Sequence, residues 1–291
     1  MGDFDMRIVI TGATGYIGRY VTESISNAND VFAIVRETSD IKIIEKYVNE
    51  IIIYKENKIY DDMRKIKPDL LIHLAGVFYS DHSSDTIKNL LESNIVFGAI
   101  LLDSVVSSGC KSIINTASYW QNYGRNAYNP VNLYAATKQS MEDIIIYYVQ
   151  AKRCKAITLQ IFDSYGPCDN RRKILNIIRD MKEGEQIDMS EGNQKLYYCH
   201  IQDLVNAYVL AIQMLNDMPD RQYQKYALRG EHPVTLKKII QTYLDISKKD
   251  IHINWGKYDY REREIVDPYG IGEVLPGWRP QITLENGLKT L

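Results

Sequence analysis

The sequence lacks the signatures of several protein classes. Its four cysteines form no C-x-x-C pair and no zinc-ligand spacing, so the sequence predicts reduced thiols and no bound metal. A formal net charge of −2 gives no basic excess for a nucleic-acid partner. No apolar run approaches the ~20 residues of a membrane helix and no signal-peptide pattern stands at the start, so we expect a cytoplasmic protein without a membrane partner.

A glycine-rich turn stands between a short β-branched run, 6–10, and a helical pattern that continues to about residue 26. Strand, glycine turn and helix in this order are the context of the dinucleotide-binding fingerprint. The glycines permit a tight turn and let backbone N–H groups approach a pyrophosphate at the positive helix N-terminus. A turn without a ligand is the alternative, but the flanking elements favour a cofactor site formed by Gly12, Thr14, Gly15, Tyr16, Ile17 and Gly18.

Short apolar runs alternate with helical patterns through the first part of the chain. After 6–10 they lie at 31–35, 50–54, 69–74, 111–115 and 155–162. This alternation predicts an α/β fold with a Rossmann doubly wound parallel sheet. Beyond Pro167 we predict a basic amphipathic helix at 170–183 and shorter elements. We therefore expect residues 1–167, with 201–228 returning to them, to form an NADP-binding Rossmann domain, and 168–200 with 229–291 to form a smaller C-terminal substrate-binding lobe.

Two strand ends carry further candidate cofactor-binding residues. Arg36 follows the second strand, where an acidic residue would hydrogen-bond the ribose of NAD. An arginine offers a charge and a planar fork to a 2′-phosphate, so the sequence favours NADP(H); NAD(H) is possible if Arg36 is only a solvated surface residue. After the fourth strand, small residues would let a cofactor lie against the backbone at Leu74, Ala75 and Gly76.

Tyr134 and Lys138 stand four residues apart in a helical pattern, which places them on one helix face. A free tyrosine titrates near pH ~10, and a nearby cation favours its phenolate and makes its hydroxyl a better acid. Such a pair suits proton delivery to an oxygen on which negative charge develops. Tyr54 and Lys58 have the same spacing. The two pairs differ in their position in the chain, because the Tyr134 pair follows the strand that ends at Thr116.

A series of ordered motifs resembles the extended short-chain dehydrogenases/reductases, in their nucleotide-sugar epimerase/dehydratase group. The motifs span nearly the whole chain: 11–18 (TGATGYIG), 72–76 (IHLAG), 93–98 (SNIVFG), 115–118 (NTAS), Tyr134 with Lys138, 165–167 (YGP), 200–203 (HIQD), 261–264 (RERE) and 277–278 (GW). The resemblance implies a nucleotide-diphosphate sugar as substrate and a homodimer formed through two helices, one of them the Tyr134 helix.

Individual roles follow from the same resemblance. It implies that Tyr134 is the catalytic acid/base and that Lys138 binds the nicotinamide ribose and lowers the pKa of the phenol. Thr116 would hydrogen-bond the reacting oxygen, with Ser118 as the alternative, because the sequence after it departs from the family's valine-tyrosine-glycine. Asp163 stands where the family usually has an asparagine that contacts the sugar nucleotide.

Charged residues complete the substrate site that the resemblance implies. Arg261 matches an arginine that contacts the diphosphate, and Glu264 replaces an aspartate that reaches the nucleotide ribose. Another diphosphate arginine of the family is missing, with Leu196 near its place. Arg171 or Arg172 would substitute for it, since a dianion in a cleft needs compensating charge. A solvated basic helix face is the alternative for these two arginines.

The residues after Thr116 indicate which reaction of the group to expect. Its dehydratases carry an acidic pair there, whereas this chain has Ala117 and Ser118, which disfavours dehydration. Arg36 favours a reaction that consumes NADPH over a reaction that regenerates a permanently bound NAD. The chain is also similar to nucleotide-sugar 4-ketoreductases of the CDP-abequose and CDP-paratose synthase type. We therefore predict NADPH-dependent reduction of the C4 keto group of a CDP- or dTDP-linked 4-keto-6-deoxy sugar for surface polysaccharides; the alternatives are an NAD-dependent nucleotide-sugar epimerase and a non-catalytic NADP(H)-sensing regulator.

Overall fold

A parallel sheet of seven strands forms the centre of the computed structural model, which describes residues 6–79, 82–124, 127–268 and 270–291. Numbered in chain order, its strands are β1 (Arg7–Thr11), β2 (Asp30–Val35), β3 (Glu50–Ile53), β4 (Leu70–His73), β5 (Ser112–Ser118), β6 (Lys155–Ile161) and β11 (Tyr223–Leu228). Their spatial order is β11-β6-β5-β4-β1-β2-β3, and neighbouring strands are parallel. The order reverses between β1 and β4, which opens a crevice at the carboxyl ends of these strands.

Shorter strands and the helices surround this sheet. Three two-stranded sheets pair β7 with β10, β8 with β13 and β9 with β12; these strands are β7 (Asp163–Tyr165), β8 (Gln186–Asp188), β9 (Lys195–Leu196), β10 (Tyr198–His200), β12 (Val234–Thr235) and β13 (His252–Asn254). The α-helices are α1 (Tyr16–Ile25), α2 (Ile59–Ile66), α3 (Ser84–Leu91), α4 (Phe97–Ser107), α5 (Leu133–Lys152), α6 (Ile174–Asp180), α7 (Ile201–Asp217), α8 (Leu236–Ser247) and α9 (Leu284–Leu288).

Helices cover both faces of the central sheet. On one face, Ile8 of β1 belongs to a core with Val21 of α1 and Leu204 of α7. On the other face, Val9 belongs to a core with residues of α2, α4 and α5, among them Ile145. Successive residues of a strand point to opposite faces, so a strand covered on both faces is apolar throughout. The predicted Rossmann doubly wound α/β fold is confirmed.

The predicted strands are present with their ends shifted by a few residues, and the sheet has one strand more than the apolar runs indicated. This strand, β11, pairs with β6 at the sheet edge. It lies within 201–228, the stretch expected to return to the Rossmann domain, together with α7. The division into a cofactor domain and a substrate-binding lobe stays a prediction, and of its first range, residues 1–5, 80–81 and 125–126 lie outside the described residues.

The predicted basic helix at 170–183 is wrong in its first turn. Helix α6 begins only at Ile174, and Lys173 before it has an extended backbone. The Arg171 side chain folds back onto the carboxylate of Asp169 and onto Ser164, which holds this stretch outside the helix. Arg171, Arg172 and Lys173 therefore form a loop ahead of α6 rather than one face of a helix.

One helical stretch corrects the expectation that no apolar run approaches the length of a membrane helix. Within the described residues, 84–107 is long and apolar enough to cross a membrane by length and composition alone. It consists of α3, a π-helical turn over Glu92–Val96 and α4. In α4, Leu101, Leu102 and Val105 are buried in the core. In all, 39% of the apolar window is buried, and helices of protein cores also pass a test of length and composition.

Candidate active site

The glycine turn after β1 fits closely against the end of β4. Gly12 has φ of +69°, and a Cβ atom on it would lie 2.8 Å from the backbone nitrogen of Ala75. A Cβ atom on Gly18 of α1 would lie 2.0 Å from the carbonyl oxygen of Gly12. The turn, the first helix and the end of β4 thus approach at distances that only glycine permits.

The amino end of α1 offers donors to an anion. Gly15 is its N-cap and provides no side-chain hydrogen bond, so within the described residues the first-turn N–H groups have no side-chain cap. The next residue, Tyr16, is buried, and its hydroxyl has no hydrogen-bond partner there. Free N–H groups, a close backbone cradle and an unsatisfied hydroxyl fit the pyrophosphate half of a dinucleotide. Thr14 and Ile17 belong to the same turn and helix.

Side chains tie the end of β1 to the segment after β4. The Thr11 hydroxyl lies 2.9 Å from Nδ1 of buried His73 and accepts a hydrogen bond from the Ala75 backbone N–H at 3.2 Å. Burial, aided by the charge of Lys138, lowers the pKa of His73 to about 3. His73 is therefore a neutral structural residue whose hydrogen-bond partner is the Thr11 hydroxyl. The tie fixes the predicted cofactor segment 74–76.

Tyr134 and Lys138 share one face at the start of α5. Asn132 caps this helix by accepting a hydrogen bond from the Ala135 N–H at 2.9 Å. The Lys138 ammonium lies 6.0 Å from the centre of the Tyr134 ring and donates to the Ala75 carbonyl at 3.4 Å. The helix thus brings the pair to the segment that follows β4, at the crevice between β1 and β4.

The protonation behaviour of this pair differs from the expectation. Burial raises the pKa of Tyr134 to about 12 and lowers the pKa of Lys138 to about 8. The expected net lowering of the phenol pKa by Lys138 is wrong. Loss of water on burial is the cause that sets the direction of the Tyr134 shift.

A buried asparagine connects the pair to the segment after β4. Asn94 lies in the π-helical turn, accepts a hydrogen bond from the Val77 N–H at 2.8 Å and donates to the Val77 carbonyl at 3.0 Å. It also donates to the Thr137 hydroxyl at 3.0 Å, which in turn donates to the Tyr134 carbonyl at 2.8 Å. Such π-helical turns occur frequently at functional sites. This one fixes the position of Tyr134.

The two candidate hydroxyls at the end of β5 have different partners. The Thr116 hydroxyl lies 2.7 Å from the hydroxyl of Tyr208 on α7. The Ser118 hydroxyl accepts the Trp120 N–H at 3.3 Å and caps the 3-10 turn Tyr119–Gln121. Ser118 thus has a structural task that Thr116 lacks. Sequence reasoning missed Tyr208, whose signal is a phenol on the apolar face of a core helix, where it needs a polar partner.

Two aromatic residues flank Tyr134. The ring of Phe78 lies 5.6 Å from the ring of Tyr134 and 5.5 Å from that of Trp120, both edge to face. Trp120 lies 6.3 Å from Tyr134. Phe78 remains 47% exposed, which is unusual for a large apolar side chain beside a buried polar cluster. No sequence pattern predicted Phe78 or Trp120 as a residue of the site.

The acidic and basic residues predicted for the substrate lie on the open side of this site. Asp163 accepts a hydrogen bond from the Tyr119 hydroxyl at 2.9 Å and lies 3.9 Å from the Lys173 ammonium. Arg261 pairs with Glu264 at 2.7 Å, and its guanidinium lies 5.8 Å from the centre of a Trp120 ring. The structure therefore brings the 261–264 segment to the aromatic residues beside Tyr134.

The remaining predicted residues lie nearer the cofactor turn or at the surface. Arg171 forms a 2.6 Å ion pair with Asp169, and its guanidinium lies 4.2 Å from the centre of the Tyr16 ring. Its charge is thus already compensated, beside the phosphate turn. Arg172 is exposed. Arg36 is exposed at the end of β2, where its backbone N–H donates to Ser39.

Comparisons with known proteins agree with this geometry. The model of the NAD dependent epimerase/dehydratase family matches residues 8–224. A CDP-abequose synthase from Yersinia pseudotuberculosis is 29% identical over 90% of this chain and 92% of its own length. MoeE5, solved with UDP-glucose and NAD, superposes with a TM-score of 0.82 at 18% identity, over 98% of this chain and 96% of that one. A Thermotoga maritima UDP-glucose 4-epimerase, solved with UDP-glucose, gives 0.81 at 20% identity, over 98% and 97%.

Proposed function

The chain belongs to the NAD dependent epimerase/dehydratase family, and we propose that it reduces the C4 keto group of a CDP- or dTDP-linked 4-keto-6-deoxy sugar with NADPH, in deoxysugar synthesis for surface polysaccharides. The observation that carries the choice of reaction is the end of β5. Ala117 is buried there and apolar, and the Ser118 hydroxyl caps a turn. Neither can act as the acid or base that removal of water from a sugar requires.

NADP(H) fits the residues at the carboxyl ends of β1 and β4. The residues that would hold its pyrophosphate are those of the glycine turn and the α1 start, Gly12, Thr14, Gly15, Tyr16, Ile17 and Gly18. Leu74, Ala75 and Gly76 would border the nicotinamide half, with Lys138 at its ribose. Arg36 would bind the 2′-phosphate in place of an acidic ribose ligand. When bound, the cofactor supplies the hydride.

Tyr134 is the proposed proton donor for the sugar oxygen. Because burial raises the pKa of its phenol to about 12, Tyr134 is protonated at neutral pH and starts as an acid, which is the form that reduction needs. The Lys138 ammonium on the same helix face stabilises the phenolate that remains. The Thr116 hydroxyl would donate a hydrogen bond to the same oxygen, with Ser118 as the alternative.

The open side of the site is proposed to bind the nucleotide sugar. Arg261 would contact the diphosphate and Glu264 the ribose, with Asp163 at the sugar nucleotide. Of the two arginines expected to add charge, Arg172 is exposed and open to a ligand, whereas Arg171 is paired with Asp169. Phe78 and Trp120 offer an apolar wall beside Tyr134, which suits the methyl group of a 6-deoxy sugar better than a hydroxyl or carboxylate. The similarity to CDP-abequose synthase supports this substrate class. A homodimer stays a prediction.

A direct assay tests this proposal. Purified protein is mixed with NADPH and either CDP- or dTDP-4-keto-6-deoxyglucose, and reduced nicotinamide is followed by absorbance. We expect stoichiometric oxidation of NADPH with one of the two sugars. The second candidate is an NAD-dependent nucleotide-sugar epimerase, which the structural likeness to a UDP-glucose 4-epimerase favours. Interconversion of the C4 epimers of a nucleotide sugar that carries a C4 hydroxyl group, without net consumption of NADPH, would establish the epimerase activity instead.

A further inference from the structure

Tyr208 contributes a buried phenol close to the proposed catalytic residues. It lies on α7, on the opposite sheet face from the Tyr134 helix, and is 0% exposed. Its hydroxyl oxygen is 2.7 Å from the Thr116 hydroxyl oxygen. Within the described residues, no other hydrogen-bond partner of either hydroxyl is seen. Two elements that are distant in the chain, β5 and α7, thus meet through these two hydroxyl groups.

The direction of this hydrogen bond follows from burial. If Thr116 donated, the proton of fully buried Tyr208 would have no acceptor, which is costly in the protein interior. If Tyr208 donates, its proton is satisfied and the Thr116 proton is free to point elsewhere. Thr116 retains 8% exposure, so its proton can reach a ligand at the end of β5. Tyr208 is therefore the donor and Thr116 the acceptor.

The Tyr208 phenol is protonated at neutral pH. Burial is the main cause that raises the pKa of its phenol; the hydrogen bond to Thr116 lowers that pKa, and the neighbouring Tyr134 raises it. Tyr208 thus acts as a permanent donor and does not itself exchange a proton with the substrate.

We propose that Tyr208 is a positioning residue, which donates to Thr116 and thereby directs the Thr116 hydroxyl proton toward the sugar oxygen that Tyr134 protonates. The inference rests on the proposed function, because it gives Thr116 its role there. It also distinguishes Thr116 from Ser118, whose hydroxyl accepts a backbone N–H and caps a turn. Loss of the Tyr208 hydroxyl would leave the Thr116 proton without a fixed direction.

The variant Tyr208→Phe tests this role, since it keeps the ring and removes the donor. We expect kcat to fall about tenfold, the effect of one lost hydrogen bond in the transition state, with little change in KM or in NADPH affinity. The matched control is Tyr60→Phe, which removes a phenol that donates to Asp103 at 2.8 Å, far from the site. It should leave kcat unchanged, and thermal unfolding checks that both variants fold.

A second series separates positioning from structural support. Thr116→Val should lower kcat at least as much as Tyr208→Phe, and Tyr208→Phe should have no further effect in the Thr116→Val background, since the hydroxyl that it directs is gone. Thr116→Ser, which keeps the hydroxyl, should restore most of the turnover. An equal loss from Tyr208→Phe in both backgrounds, or a kcat of Tyr208→Phe within twofold of wild type, would overturn the inference.

Failure of the proposed function gives a different result. If the wild type interconverts C4 epimers instead of oxidising NADPH, the reductase proposal fails, and the same variant series is measured on that reaction. The Tyr208 inference then stands if the loss again depends on the Thr116 hydroxyl, and falls if it does not. A wild type that performs neither reaction overturns both, because Thr116 then has no reacting oxygen to meet.

Discussion

The residues around Tyr134 and the charged residues at the edge of the same crevice are built in opposite ways. The residues of the proposed catalytic site, which we call the catalytic corner and define as Asn94, Thr116, Tyr134, Lys138 and Tyr208, are buried or partly buried. One hydrogen bond joins β5 to α7 through Thr116 and Tyr208, and another joins Asn94 of the π-helical turn to α5. The recognition edge, defined as Arg36, Arg172 and Arg261, is exposed; the Arg261 side chain is 72% exposed.

The two groups of residues differ in how much they destabilise the folded protein. An ammonium or hydroxyl buried without full solvation is costly, and the surrounding structure holds it in place before any ligand binds. Exposed arginines cost the fold little and lose water only when a phosphate arrives. We therefore expect changes in the catalytic corner to alter turnover and changes in the recognition edge to alter affinity.

The largest expected effect is that of Tyr134→Phe. The ring, its contacts with Phe78 and Trp120 and the cofactor site all remain, but the proton donor is lost. We expect kcat to fall by roughly 10³-fold, the usual contribution of a general acid, with NADPH affinity unchanged. Titration of NADPH fluorescence and steady-state rates check both parts. Retained turnover would show that another group delivers the proton.

Lys138→Met should remove turnover by about a hundredfold and at the same time stabilise the protein. Burial lowers the pKa of Lys138 to about 8 from 10.5, so between these pH values the unfolded chain binds more protons than the folded one. The stability cost is therefore full below pH 8 and disappears as the pH rises toward 10.5.

Denaturant unfolding measures this cost. Near pH 7 we expect Lys138→Met to unfold with a free energy up to about 3 kcal/mol higher than wild type, and the difference should shrink between pH 8 and 10.5. A less stable variant, or a difference independent of pH, would mean that the buried Lys138 ammonium does not lower the free energy of unfolding. The catalytic corner would then resemble the recognition edge.

The smallest of these effects is expected at the recognition edge, from Arg36→Asp. NADPH affinity should fall by about tenfold or more through loss of a charge-assisted contact, while NADH affinity stays equal or improves. The matched control is Arg64→Asp, which makes the same charge change at an exposed position on α2. Binding titrations with both cofactors decide the matter: equal weakening of the two would make Arg36 a surface residue without a role in cofactor choice.

The features that could be predicted from the sequence are those that depend on residues close together in the chain. The glycine turn, the strand runs and the Tyr134–Lys138 spacing are short-range features, and the fold confirms their placement. Tyr208 and Phe78 were missed because only the tertiary fold brings them to Tyr134 from distant segments. The first turn of the helix predicted at 170–183 was wrong because an ion pair between Arg171 and Asp169 holds this stretch outside α6. The direction of the phenol pKa was wrong because burial cannot be read from spacing.

Isotope tracing tests whether the proposed enzyme transfers hydride to C4 of the sugar. The wild-type protein is incubated with a nucleotide-linked 4-keto-6-deoxy sugar and with NADPH deuterated at its transferable position. If NADPH reduces the C4 keto group, we expect one deuterium at C4 of the product sugar for each NADP⁺ formed. Recovery of the keto sugar without deuterium at C4, while the NADPH stays reduced, would contradict the proposed reduction.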